Sequence, residues 1–155
     1  MNTIEKFYTA FKNLDADAMC ECYSEDVEFS DPAFGKLKGE RAKNMWKMLV
    51  ESQKGKDFKI EFDQVEHNGD KASAKWEAKY TFSQTGRKIH NKISAQFELK
   101  NDKIVVHKDN FDLHSWATQA LGIKGWLLGW TGFFRSKLQN QTGKLLDKFE
   151  AKASE

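Results

Sequence analysis

From Lys71 to Leu99 the side chains alternate, and this constrains the chain more than any other feature. Ala72, Ala74, Trp76, Ala78, Tyr80 and Phe82 occupy every second position, interleaved with Lys71, Ser73, Lys75, Glu77, Lys79 and Thr81. Past Gln84-Thr85-Gly86 the pattern resumes, with Ile89, Asn91, Ile93, Ala95, Phe97 and Leu99 set against Lys88, His90, Lys92, Ser94, Gln96 and Glu98. A period of two belongs to strands with one buried and one wet face. An all-helical fold is therefore excluded, and a long antiparallel hairpin is required. Phe58, Ile60 and Phe62 begin the same period before the turn signal Asn68-Gly69-Asp70, and Asn101-Asp102 turns the chain into a last strand from about Lys103 to Leu113. Small alanines among large rings leave an uneven inner face. Long strands of this kind curl, and helices must cover their open side.

The covering elements lie upstream. Ile4, Phe7, Tyr8, Phe11 and Leu14 recur at helical steps. Asp15 is suited to cap a second helix, Asp15 to Tyr23, with Met19, Cys22 and Tyr23 inward. A brief strand, Phe29 to Asp31, ends at Pro32, and a loop from Phe34 to Gly39 leads to a third helix with Ala42, Met45, Trp46, Leu49 and Val50 inward. Three helices followed by three long antiparallel strands predict an α+β half-barrel around a central cavity. At 155 residues the chain is one domain in size, and 39% hydrophobic content sets it apart from disordered chains despite 31% charged residues. Twelve Phe, five Trp and three Tyr imply an interior built from rigid rings.

The formal net charge is only +2, and lysines are mixed with acids along most of the chain, so the basic face needed by nucleic acid is missing. Cys20 and Cys22 point to different sides of a helix, cannot readily bridge, and lack the partners of a zinc site. They read as reduced thiols. MNTIEKF lacks the charged-then-apolar order of an export signal, so a cytoplasmic protein is expected, and no cofactor or metal is predicted.

One stretch stands out chemically. VEFSDPAFG places Asp31 before the chain's single proline and between Phe29 and Phe34. Asp31 either bonds its own turn or is a proton-handling carboxyl whose pKa an apolar surround would raise. On the last strand His107, Asp109 and Phe111 share one face, so His107 and Asp109 can couple as a proton relay or form a buried polar pair satisfied by Asn91 or Tyr80. Asp112 then falls on the outer face. Trp46, Trp76 and Tyr80 serve as core or as cavity wall for a flat apolar molecule. Asn91, the polar member of an apolar face, is placed to orient a ligand carbonyl.

The segments CYSEDVEFSDPAFGKLKGE and NDKIVVHKDNFDLHSW, in this order behind two helices, resemble the nuclear transport factor 2-like superfamily, particularly its ketosteroid isomerase and SnoaL-like enzymes. The likeness runs from about Met1 to Leu113. It implies a cone, a curved and mostly antiparallel sheet wrapped by N-terminal helices, with a homodimer through the outer sheet face. It also makes the face bearing His107 and Asp109 the inner one. In the isomerases the general base is an Asp-Pro after the second helix, which corresponds to Asp31-Pro32. Their helix tyrosine corresponds to Phe7 and their strand aspartate to Ala95, so neither of these proton donors is carried over. Limonene-epoxide hydrolases and SnoaL-like cyclases have a last-strand carboxylate corresponding to Asp109, but the hydrolases' Arg-x-Asp positions fall around Trp76 and Ala78. The resemblance thus implies an acid–base isomerase, cyclase or hydrolase rather than an authentic ketosteroid isomerase. Asp31, Asp109 and His107 would act on a small apolar cyclic or carbonyl compound lined by Phe7, Phe29, Phe34, Trp46, Trp76, Tyr80, Asn91, Phe97 and Phe111. A non-catalytic ligand-binding or dimeric scaffold protein of the same fold is the alternative.

Residues 1–122 form the expected cone domain, and residues 123–155 an apolar lid and amphipathic helix packed on it. GWLLGWTGFF is too apolar to sit in water and too short to cross a bilayer, and Arg135, Lys137, Lys144, Lys148 and Lys152 follow it. Closing the mouth of the cone is the first reading, packing on a dimer partner the second, and lying on an anionic membrane the third.

Overall fold

In the computed structural model, which describes residues 1–154, helix α1 (Thr3–Lys12) starts on a capping box. The Asn2 side chain accepts from the Glu5 N–H while Glu5 accepts from the Asn2 N–H. Helix α2 (Ala16–Glu21) begins with Asp15 accepting from the Ala18 N–H. Strands β1 (Tyr23–Asp31) and β2 (Gly35–Lys38) precede helix α3 (Glu40–Gln53). Then come β3 (Lys59–Asn68), β4 (Lys71–Phe82), β5 (Arg87–Lys100) and β6 (Lys103–Asn110). Helices α4 (Leu113–Leu121), α5 (Ile123–Leu128) and α6 (Gly132–Ala153) complete the described chain.

The six strands form one unclosed sheet in the order β2-β1-β6-β5-β4-β3. Neighbours are antiparallel except β1 and β6, which run parallel. This is the expected α+β half-barrel. The inner face of β4 and β5 and the apolar sides of α1 and α3 enclose one core in which Ile4, Phe7, Tyr8, Phe29, Met45 and Ile104 are sealed from solvent. A smaller cluster of Ile89, Leu113, Trp116, Ala117 and Ala120 joins α4 to the β4–β5 end of the sheet.

Several boundaries correct the sequence reading. The second helix stops at Glu21, and Tyr23 opens a nine-residue strand instead of closing a helix. A bulge between Tyr23 and Glu28 interrupts the pairing with β6, which hides the period of two in this stretch. The expected loop at Phe34–Gly39 holds strand β2, with Leu37 alone buried among polar neighbours and Gly35 turning the chain at φ 73°. Strand β3 runs ten residues, although most of them are exposed. Strand β6 ends at Asn110, so Phe111 lies beyond it. Asp112 is not an outer-face contact; it caps α4 by accepting from the Ser115 N–H.

The C-terminal segment is fastened to the body by α6. Leu146 is fully buried in the main core, and Phe134 and Leu138 pack on the smaller cluster. Gln139 Nε2 donates to the Pro32 carbonyl (3.2 Å), and Thr142 Oγ1 donates to that of Ala33 (2.9 Å). Arg41 of α3 pairs with Asp147 (2.9 Å) and with Glu150, which also accepts from Asn44 Nδ2 (2.8 Å). The large side chains of α5 turn outward instead of folding over the mouth as a lid, and Trp126 and Trp130 are exposed. Glycine explains the inversion: a Cβ on Gly125 would lie 1.9 Å from the Ala117 carbonyl oxygen, so only the glycine edge of α5 can rest on α4. Among the described residues no helix is long and apolar enough to cross a membrane.

Candidate active site

Two parallel strands bring the carboxyls together. In the β1–β6 ladder Phe29 pairs with His107 and Ser30 with Lys108, so the next positions are Asp31 and Asp109. Adjacent strands are about 4.8 Å apart, and alternation turns both acids toward the same inner face. Asp109 is 6% exposed, whereas Asp31, at the strand end, is half-buried.

Asp31 does start its own turn. Its Oδ1 accepts from the N–H groups of Ala33 (2.9 Å) and Phe34 (2.6 Å). It is also perturbed: burial, opposed by the Phe34 N–H and reinforced by the charge of Asp109, raises its pKa to about 7. The turn role and the proton-handling role thus coexist on one side chain.

Behind Asp109 runs a directional chain of hydrogen bonds. Trp46 Nε1–H donates to the Tyr23 hydroxyl (2.8 Å), which lies 2.7 Å from His107 Nδ1. Since the hydroxyl accepts from Trp46, its own proton is free to go to Nδ1. Nε2 of the imidazole then carries the hydrogen donated to Asp109 Oδ1 at 2.8 Å. Trp76 Nε1–H donates to the same oxygen (3.2 Å). Asp109 is held by two N–H donors on Oδ1, and its Oδ2 takes no hydrogen bond from the described residues.

His107 touches no open space. It is fully buried in a cage of rings, with centroids of Phe97 at 4.4 Å, Phe29 at 5.1 Å, Phe7 at 5.5 Å and Trp46 at 6.1 Å. This corrects the expected lining. Phe7, Phe29, Trp46 and Phe97 are core, packed ring on ring around the imidazole. Phe34, Tyr80, Asn91 and Phe111 are half-buried, and the Trp76 edge lies beside Asp109. The Tyr80 hydroxyl accepts from Trp116 Nε1–H (2.9 Å), and neither it nor Asn91 hydrogen-bonds His107 or Asp109. A cleft of about 900 Å³ opens elsewhere, between α1, α2 and the β5–β6 turn, with Asn2, Lys6, Glu21 and Lys103 on its walls.

Two hydroxyls escaped the sequence reading. Tyr23 is buried on the far side of the bulge from Phe29 and Asp31, so no continuous period of two marks it as a strand residue. Tyr8 follows Phe7 and is fully buried between Phe62, Trp76 and Phe97 rings, with no partner for its hydroxyl among the described residues. Burial first, and then the Asp109 charge, raises its pKa well above the ordinary tyrosine value. No group of three His, Cys, Asp or Glu positioned to hold a metal occurs among the described residues.

A family model described as the SnoaL-like domain matches residues 4–107. The chain belongs to the SnoaL-like family. That places it in the nuclear transport factor 2-like superfamily, in keeping with solved structures of the same fold. Bal32a, from a soil-derived mobile gene cassette, is 21% identical, with 76% of this SnoaL-like chain and 92% of that one covered and a TM-score of 0.65. An LEH-like epoxide hydrolase from M. tuberculosis is 19% identical (82% and 88% covered, TM-score 0.60). A putative polyketide cyclase from Xanthomonas campestris is 18% identical (76% and 93% covered, TM-score 0.61). At these identities the likeness is one of fold. No curated protein matches the SnoaL-like chain in sequence.

Proposed function

We propose that this SnoaL-like domain performs acid–base chemistry on a small, largely apolar molecule at the paired carboxyls Asp31 and Asp109. One observation carries the reading: two acids adjacent on parallel strands face one apolar surround, and their settings differ. Asp109 is fixed as an acceptor by His107 and Trp76, whereas Asp31 keeps its proton up to about pH 7. Asp109, held as an acceptor, is placed to serve as the base, and protonated Asp31 as the acid. Asp109 Oδ2 takes a proton from the α-carbon of a ketone, or from a water that attacks an epoxide carbon, while protonated Asp31 gives one to the carbonyl or epoxide oxygen. His107 and Tyr23 are positioning groups that orient Asp109 without touching the substrate. Fold neighbours that include an epoxide hydrolase-like protein and a putative polyketide cyclase support the class of chemistry; the substrate inferred is a cyclic ketone, enone or epoxide.

The test is α-proton exchange in D₂O across a panel of cyclic ketones, with ring opening of cyclic epoxides followed in parallel. The expected result is turnover by the wild type, with Asp31→Asn and Asp109→Asn slower by about 10²–10⁴-fold. The rate should fall above about pH 7 as Asp31 gives up its proton. Amide variants that match the wild type, or a rate that climbs through that pH, would sink it.

A second reading, a ligand-binding or scaffold protein of the same fold without turnover, is favoured by the rings packed closely around His107 and by Phe7 and Ala95 at the donor positions. Under it both amide variants bind the panel as the wild type does and no compound turns over.

A further inference from the structure

We infer that the α5–α6 corner is a docking surface for an anionic lipid bilayer. The observation is an inverted helix. Across α5 and the start of α6, Ile123 (78% exposed), Trp126 (59%), Leu127 (53%), Trp130 (73%) and Phe133 (74%) all face solvent, together with Leu128. Exposing one large apolar side chain forgoes about 1.5–3 kcal/mol, so six of them make a patch that single surface leucines do not. The arrangement is built in. Gly125 and Gly129 press on Ala117, where added Cβ atoms would come within 1.9 Å of its carbonyl oxygen and 2.6 Å of its Cβ. His114 Nε2 lies 2.8 Å from the Trp126 carbonyl and ties α5 to α4. With its small residues spent on the inner edge, α5 has no orientation that hides its large ones.

Charge selects the occupant. Between Asp112 and Asp147 the sequence has no acidic residue, while Lys124, Arg135, Lys137 and Lys144 are all exposed. The Arg87 guanidinium, which donates to the Gln119 carbonyl (2.7 Å), lies against Gly122 at the start of α5. A second copy seated on this patch would bring the same cations face to face. An anionic headgroup layer meets them with opposite charge, and indole and phenyl rings flanked by Lys and Arg suit the boundary between headgroups and acyl chains. The surface lies outside the Asp31–Asp109 site, and the inference does not depend on the chemistry proposed there.

Cosedimentation of the full chain with phosphatidylcholine vesicles, with and without about 30 mol% phosphatidylserine, tests the assignment. The wild type should partition onto the anionic vesicles and be released by about 0.5 M NaCl. The triple variant Trp126→Ser, Trp130→Ser, Phe133→Ser should partition about tenfold less or weaker still. The charge variant Lys124→Glu, Arg135→Glu, Lys137→Glu should also lose binding, with far-UV circular dichroism of both variants unchanged. Absence of partition, equal partition of all three proteins, or equal partition onto neutral vesicles overturns the inference. A dimer in sedimentation velocity that the triple serine variant splits, without vesicle binding, assigns the patch to a second copy and overturns it as well.

Discussion

Removing one oxygen from each of two buried tyrosines should have opposite results. In Tyr23→Phe the lost hydroxyl is the shared partner of Trp46 Nε1 (2.8 Å) and His107 Nδ1 (2.7 Å), and both ring nitrogens sit where water does not replace it. Leaving a buried polar group unpaired costs about 1–3 kcal/mol, so two such groups put the expected loss at about 2–6 kcal/mol. For a chain of this length each kcal/mol lowers Tm by about 2–4 °C, giving a drop of roughly 4–24 °C. In Tyr8→Phe the oxygen removed is itself the unpaired group, since the Tyr8 hydroxyl has no partner among the described residues. The ring contacts with Phe62 and Trp76 are retained. Deleting an unsatisfied hydroxyl should be neutral or stabilising by up to about 1 kcal/mol. Urea and thermal unfolding followed by circular dichroism measure both. Equal losses in the two variants, or a larger loss for Tyr8→Phe, would refute the hydrogen-bond chain described for His107 and Asp109.

Asp31→Asn should stabilise the fold in a pH-dependent way. Asp31 titrates near 7 when folded against an ordinary 3.8, so its protonated form suits the folded state. That contribution is fully present below the unfolded pKa and is lost as pH rises through the folded one. The amide keeps the Oδ1 acceptor for Ala33 and Phe34 but cannot ionise. Its unfolding free energy from urea titration should match the wild type near pH 4 and exceed it near pH 8, by about 1–3 kcal/mol; a constant difference across that range counts against the assignment. Gly125→Ala should cost about 1–3 kcal/mol through the contact with the Ala117 carbonyl. Gly132→Ala, with nothing within 4 Å of the added carbon, should be neutral or slightly stabilising in the same thermal melt.

How much of this was legible in the sequence depended on whether each feature obeyed a local rule. Strands β4 and β5 were readable residue by residue, because the alternation over Lys71–Phe82 and Lys88–Leu99 leaves one register. The Asp15 cap was readable for the same reason, being a local hydrogen bond. Strand β1 was not, since its bulge breaks the period and Tyr23 then looks like the end of the preceding helix. That error hid the hydroxyl joining Trp46 to His107, a contact between residues 23, 46 and 107 that no local pattern encodes. The pairing of Asp31 with Asp109 came from a resemblance and not from spacing: 78 positions separate them in the sequence, and only the parallel β1–β6 ladder makes them neighbours. The outward turn of α5 was the least legible. Apolar residues are read as buried by default, and the inversion follows from two glycines whose closeness to Ala117 appears only once α4 and α5 are packed. Where a periodic rule fails on a run of Trp, Leu and Phe this dense, the reason lies in what the inner face excludes, and here it excludes any side chain at all.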